Sequence, residues 1–302
     1  MITRSPGYKP NEVWWKDQIL QIIGAPVLLK RLQMPDIFRA LAIQPGMNVL
    51  DFGCGSGYMT YQMAYLGANA FGIDIIKMDN YFIPENLREK LTFIRYSGER
   101  TPFKEKFFDV ILLSEVITTI PEPQKFIAEI QRIIKTNDRL IIVQPLDRRG
   151  IREDFENNSA FIRFMRMIRP IPVDYNDYIT RIQTIFGNAI HSLPPEEYYY
   201  KLLNEYGFQI DKKNFSPSGP VIKLYERIQF FSLCFGLPTY GVHYFILFPI
   251  FKILDAWYHD QYGTWCIFIT SLKKGGEQSV LLKPDLRDFK KTSACGILAQ
   301  IF

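Results

Sequence analysis

Val49-Leu50-Asp51-Phe52-Gly53-Cys54-Gly55-Ser56-Gly57 is the stretch on which the reading of this chain turns. An apolar strand runs directly into a turn with glycine at every second position, and an amphipathic helix follows at about 57–67. Glycine has no Cβ, so a ligand can approach the backbone closely there, and the free N–H groups of the helix start face it. The segment is therefore a ligand cradle. A dinucleotide site is the first rival. Its G-x-G-x-x-G/A pattern needs Gly or Ala at position 58, where Tyr58 stands, and the spacing here is G-x-G-x-G. The pyrophosphate reading drops to second place.

Outward from the turn, the pattern alternates between strands and helices. Strands are predicted at 47–52, 69–73, 91–95, 108–114 and 139–143, with a helix at 122–135. Such alternation gives parallel strands with helical crossovers, a doubly wound α/β sheet. In the 122–135 helix, Phe126, Ile127, Ile130, Ile133 and Ile134 share the face that covers the sheet, with Lys125, Glu129 and Arg132 off it. Asn137 and Asp138 read as the turn before the next strand. Asp74 closes the second strand, where its carboxylate reaches the same crevice and can accept hydrogen bonds from both hydroxyls of a ribose. The plain alternative is that Asp74 caps the following turn.

Composition sets the outer limits. With 302 residues, 47% apolar and 22% charged, the chain is globular rather than disordered. Its 36 Lys and Arg against 31 Asp and Glu leave a net charge of +5, too small and dispersed for a nucleic-acid binder. Only a mild pull toward anionic surfaces remains. Cys54, Cys234, Cys266 and Cys295 form no metal-ligand spacing and too sparse a set for a disulfide scaffold, so no metal is expected and the thiols read as reduced, in a cytoplasmic protein. The first residues, with Pro6, Lys9, Pro10 and Glu12, lack the apolar core of a signal peptide.

The expected organisation is an N-terminal helical cap over 1–45, broken at Gly24, Pro26 and Pro35, then a main domain over 46–274. Within that domain a polar helical region spans about 147–206 and an apolar helical insertion about 219–258, and strands are read at 207–215 and 262–272. Residues 275–302 form a tail without period.

Together these motifs resemble the class I S-adenosylmethionine-dependent methyltransferases, over 45–145 above all. VLDFGCGSG (49–57) is similar to the family's first motif, Asp74 to its ribose-binding acid, and FFDVILLSEV (107–116) to its fourth strand. PEPQKFIAEIQRIIKTNDRLIIVQP (121–145) is similar to the helix, turn and fifth strand that follow. The resemblance implies a Rossmann-like sheet with an antiparallel last strand and S-adenosylmethionine as cofactor. It implies that Gly53, Cys54, Gly55 and Gly57 lie along the methionine part, Asp51 holds its amino end, and Asp74 and Ile75 meet the ribose. Ser97, Gly98 and Glu99 fall at the adenine, although Ser97 stands where the family often has an acid. Ser114 and Glu115 end the fourth strand on the cofactor side, whereas Asp109 begins it at the far end and is structural.

The reaction implied is in-line transfer of the sulfonium methyl to a small-molecule or lipid- or glycan-linked acceptor, at oxygen rather than carbon or nitrogen. Relatives acting on hydroxyls often carry a histidine shortly after the fourth strand, but Thr118 and Thr119 occupy that place. His191 is the remaining general-base candidate, against the plain reading of a surface histidine. Ile228–Phe251 carries no formal charge, but Gly236, Pro238, Gly241 and Pro249 break it into two pieces, which argues for a hairpin rather than a span. Arg163, Arg166 and Arg169, opposite Phe161, Phe164, Met165 and Ile168, suggest a peripheral contact with an anionic membrane at its cytoplasmic face. A methyltransferase-like scaffold without turnover is the alternative function, and a nicotinamide oxidoreductase the third. No motif encodes an oligomeric state.

Overall fold

The computed structural model describes residues 28–75, 81, 83–96, 100–146, 150–178, 180, 194–235, 247–258 and 265–273. Strands β1 (Asn48–Phe52), β2 (Asn69–Asp74), β3 (Leu91–Arg95), β4 (Phe108–Ser114), β5 (Ile134–Pro145), β6 (Phe208–Phe215) and β7 (Trp265–Leu272) form one sheet in the order β3-β2-β1-β4-β5-β7-β6. β1 to β5 run parallel, and β7 is antiparallel to both β5 and β6. The doubly wound sheet anticipated from the alternation is thus present, and so is the antiparallel last strand that the resemblance implies. β1 lies between β2 and β4, so the winding reverses there and opens a crevice beyond the carboxyl ends of the two halves.

Strands buried on both faces need apolar residues at every position, and β4 shows it. Ile111 and Leu113 enter one core while Val110 and Leu112 enter the other, all at 0% exposure. The first core is closed by α3 (Pro123–Ile133) through Phe126, Ile127, Ile130 and Ile133, and by Tyr199, Leu202 and Leu203 of α6 (Glu196–Glu205). The second is closed by Ile37 and Leu41 of α1 (Leu28–Leu41) and by Met59, Met63 and Ala64 of α2 (Tyr58–Tyr65). Each fully buried Ile or Leu of these stripes contributes about 1.5–3 kcal/mol, which is what fixes the helices on the sheet.

Beyond the sheet, α4 (Gly150–Glu156), α5 (Ala160–Ile168), α7 (Gly219–Phe235) and α8 (Phe248–Trp257) build a lateral layer. α7 is its spine. Its first half meets Leu32 of α1 and Phe251 of α8, and its second half meets Ile162 and Met165 of α5. Asp154, 1% exposed, takes a two-pronged ion pair from Arg227 at 2.7 and 2.6 Å, which ties α4 to α7.

Four local expectations need correction. Pro35 does not interrupt its helix, because burial of Leu32 and Gln33 before it and of Ile37, Ala40 and Leu41 after it holds α1 together on both sides. β5 begins at Ile134, directly after α3, rather than at 139. Asn137 and Asp138 therefore sit inside β5, in a bulge where Phe108 pairs with Ile134 and Val110 with Arg139, and Asn137 adopts φ 67°. Finally, Phe164 and Ile168 do not lie opposite the arginines of α5. Ile162 and Met165 are the buried residues, while Phe164, Met167 and Ile168 are 50%, 77% and 42% exposed beside Arg163 and Arg166. The tail 275–302 and the cap before residue 28 lie outside the described residues, as does Cys295.

Candidate functional site

Past Phe52 the chain leaves the sheet through three left-handed glycines, Gly53 at φ 73°, Gly55 at 51° and Gly57 at 76°. The N–H groups of Gly53 and Cys54 donate to the Ile73 carbonyl at 2.8 and 3.1 Å, strapping the turn to the end of β2. Gly57 then donates to the Cys54 carbonyl at 2.8 Å and caps α2. A Cβ on Gly53 would stand 2.5 Å from Val116 Cγ2, and one on Gly57 2.7 Å from the Phe93 ring. At Gly55 a Cβ would meet nothing within 4 Å among the described residues, so this is the open side of the turn.

Two carboxylates flank it. Asp74 Oδ2 accepts a hydrogen bond from Gly55 N at 2.8 Å, so it steadies the glycine turn. The Tyr81 hydroxyl donates to the Gly55 carbonyl from the other side, and its ring stands edge-on to Phe93 at 4.9 Å. Asp51, 2% exposed, accepts from Thr60 Oγ1 at 2.7 Å. Burial pushes its pKa up to about 6, against the opposing pull of the Thr60 hydrogen bonds, with the charge of Asp74 adding to the rise and that of Lys30 reducing it. A carboxylate held in this way is stabilised by any cationic ligand group that reaches it. Cys54 is buried, and desolvation together with Asp51 and Asp74 raises its pKa, which leaves an inert thiol.

Across the crevice, β4 ends at Ser114 and turns at Glu115, which adopts φ 63° and donates its N–H to the Val143 carbonyl at 2.8 Å. Such a left-handed conformation costs a non-glycine residue about 1 kcal/mol or more. Both side chains meet Lys30 of α1, whose ammonium lies 2.8 Å from Ser114 Oγ and 2.6 Å from Glu115 Oε1, and 5.6 Å from the ring centre of Trp265. Nearby, at the end of β5, the fully buried Gln144 donates to Thr118 Oγ1 at 2.9 Å. Its own amide oxygen has no partner among the described residues.

The fold thus brings Asp51, Gly53, Cys54, Gly55, Gly57, Asp74, Ser114 and Glu115 to one edge of the sheet, with Ile75, 53% exposed, at its rim. Ser97, Gly98, Glu99 and His191 lie outside the described residues. Asp109 sits at the opposite edge, where it accepts from Asn48 N at 2.8 Å and pairs with Lys135. Lys30 and Gln144 escape a reading of the sequence. In LLKRLQ, Lys30 looks like one solvated charge among others, and only the packing of α1 brings it to a serine 84 positions away.

Residues 29–213 match the family described as "Methyltransferase domain". Among curated proteins, the mitochondrial ubiquinone biosynthesis O-methyltransferase of Schizosaccharomyces pombe is 29% identical over 115 residues, 36% of this chain and 42% of that protein. The sterol 24-C-methyltransferase of the same organism is 30% identical, over 32% of this chain and 27% of its own length. The matched stretch therefore spans less than half of either relative. A solved structure of geranyl diphosphate C-methyltransferase from Streptomyces coelicolor A3(2) superimposes with a TM-score of 0.51 over 90% of each chain at 12% identity, a likeness of fold.

Proposed function

The chain belongs to the methyltransferase-domain family, and from that premise we propose that it transfers a methyl group from S-adenosylmethionine to an oxygen of a small-molecule or lipid-linked acceptor. The observation that carries this reading is the crevice at the β1/β4 switch point, with an open glycine turn between two carboxylates. The residues present fit the donor. Asp51, desolvated and short of a strong cation, suits the amino end of the methionine part, and the Gly53–Gly57 backbone gives it room. Asp74 offers its carboxylate to the ribose, in exchange for its bond to Gly55. The donor supplies an electrophilic methyl on a sulfonium, so the protein mainly orients the partners and excludes water.

Relatives named for ubiquinone and sterol methylation favour a lipid-like acceptor, and the surface offers a means of reaching one. Phe164, Met167 and Val173 project beside Arg163, Arg166 and Arg169, and Arg166 clamps the Val173 carbonyl at 2.6 Å, fixing the patch. Apolar side chains ringed by arginine suit the headgroup layer of an anionic membrane. No helix of the described residues is long and apolar enough to cross one; the contact in this reading is a peripheral one, at the cytoplasmic face.

Methyl-labelled S-adenosylmethionine incubated with fractionated lipid and small-molecule extracts tests the proposal. Label should move to an extract component in a linkage through oxygen. Label that never leaves the donor, with S-adenosylhomocysteine binding intact, would instead support a scaffold without turnover.

A further inference from the structure

We infer that Lys30, with Glu115 as its counter-ion, is the acceptor-activating group, and that the acceptor is a weakly acidic hydroxyl on a conjugated system, a phenol or enol, which Lys30 holds as an oxyanion. This deepens the methyl-transfer reading and rests on it. Three observations carry it. The ammonium stands at the carboxyl end of β4, close enough to Asp51 at the end of β1 to act on its charge, with its side chain only 13% exposed. It is held from several sides, by Ser114 Oγ, by Glu115 and by the face of Trp265, so its position is fixed before a ligand arrives. Beside it Glu115 adopts φ 63°, a conformation that a non-glycine residue holds only at a cost.

The chemistry follows from this placement. An ammonium in a partly dry site stabilises an adjacent oxyanion much more than water does, which lowers the pKa of a bound phenol and makes it nucleophilic near neutral pH. Glu115, 42% exposed, takes the hydroxyl proton and passes it to water. The oxygen's electron pair forms the bond to the methyl carbon, and the carbon–sulfur pair returns to sulfur, which leaves as a neutral thioether. Among the described residues, the charges acting at Lys30 are Glu115 after β4 and Asp51 from β1. Asp51 is buried against Thr60, so Glu115 is the one free to exchange.

The probe is 4-nitrophenol, whose ionised form absorbs visible light, titrated with pH on protein saturated with S-adenosylhomocysteine. Bound to wild type, its ionisation constant should rise about tenfold relative to free probe, the effect of one neighbouring cation. Lys30→Met should abolish the rise, Lys30→Arg should keep most of it, and Glu115→Gln should enlarge it by leaving the cation uncompensated. A lysine that merely tied α1 to β4 would change thermal stability without these opposite optical effects. Wild-type ionisation equal to that of free probe, or unchanged by Lys30→Met with S-adenosylhomocysteine still bound, would overturn the assignment. Failure of wild type to bind S-adenosylhomocysteine at all would instead remove the methyl-transfer reading, and this inference with it.

Discussion

Asp51 combines burial with an ionisation that matters to both stability and binding. Its folded pKa of about 6 lies above its ordinary value of 3.8, so the native state holds the proton more tightly than the unfolded chain does. The associated stability is complete below the unfolded value and is lost as pH rises toward about 6. Over that window the loss is about 3 kcal/mol. Urea melts of wild type should show this decline, and Asp51→Asn should flatten it. Binding runs the opposite way. A ligand ammonium needs the carboxylate ionised, so the affinity for S-adenosylhomocysteine should fall about tenfold between neutral pH and one unit below the Asp51 pKa, and less than twofold in Asp51→Asn. At the turn itself, Gly57→Ala must place a Cβ 2.7 Å from the Phe93 ring at φ 76°, and should cost about 2 kcal/mol or more in denaturant melts.

Among the elements, the α4–α7 clamp is the most exposed to test. Burial alone raises the pKa of Asp154, but hydrogen bonds from Arg227 and Ser159 outweigh it and hold the carboxyl below its ordinary range. Its contribution is therefore present at neutral pH and lost as the solution is acidified through that lowered value, opposite in sign to Asp51. Asp154→Asn should cost about 3 kcal/mol by stranding Arg227, and it should leave S-adenosylhomocysteine affinity unchanged, since the clamp stands apart from the glycine turn. A shift in affinity would mean that the lateral layer reaches the crevice. The legibility of these elements in the sequence follows how they are stabilised. β4, buried on both faces, announces itself as the continuous apolar run 110–113, β1 as apolar residues around a single buried Asp51, and α3 as a single apolar stripe. Pro35 misleads because tertiary burial on either side overrides a local helix breaker, and β5 misleads because its bulge carries turn-forming residues inside a paired strand.

At the scale of the molecule, the glycine turn, Asp51 and Asp74 are legible because backbone geometry and strand ends are written locally. Lys30 and Gln144 are not, since their meaning arises only where α1, β4, β5 and β7 converge. The same limit applies to the surface. Arginine periodicity in α5 is visible in the sequence, but which apolar residues accompany it outward depends on packing against Phe230, and the structure exchanges Met165 for Met167. The whole-molecule prediction is a membrane one. The protein should float with phosphatidylserine vesicles and poorly with neutral phosphatidylcholine vesicles, and the double variant Phe164→Ser, Met167→Ser should float several-fold less. Equal flotation of variant and wild type would place any lipid contact elsewhere.

Calorimetric titration of wild type and Asp74→Ala with S-adenosylhomocysteine bears most directly on the nucleoside seat. Wild type should bind one equivalent, and removal of the carboxylate should weaken binding at least about tenfold, the loss of charge-assisted hydrogen bonds to a ribose. Binding of equal strength in the two proteins, or none in the wild type, would contradict a nucleoside held between the glycine turn and the end of β2.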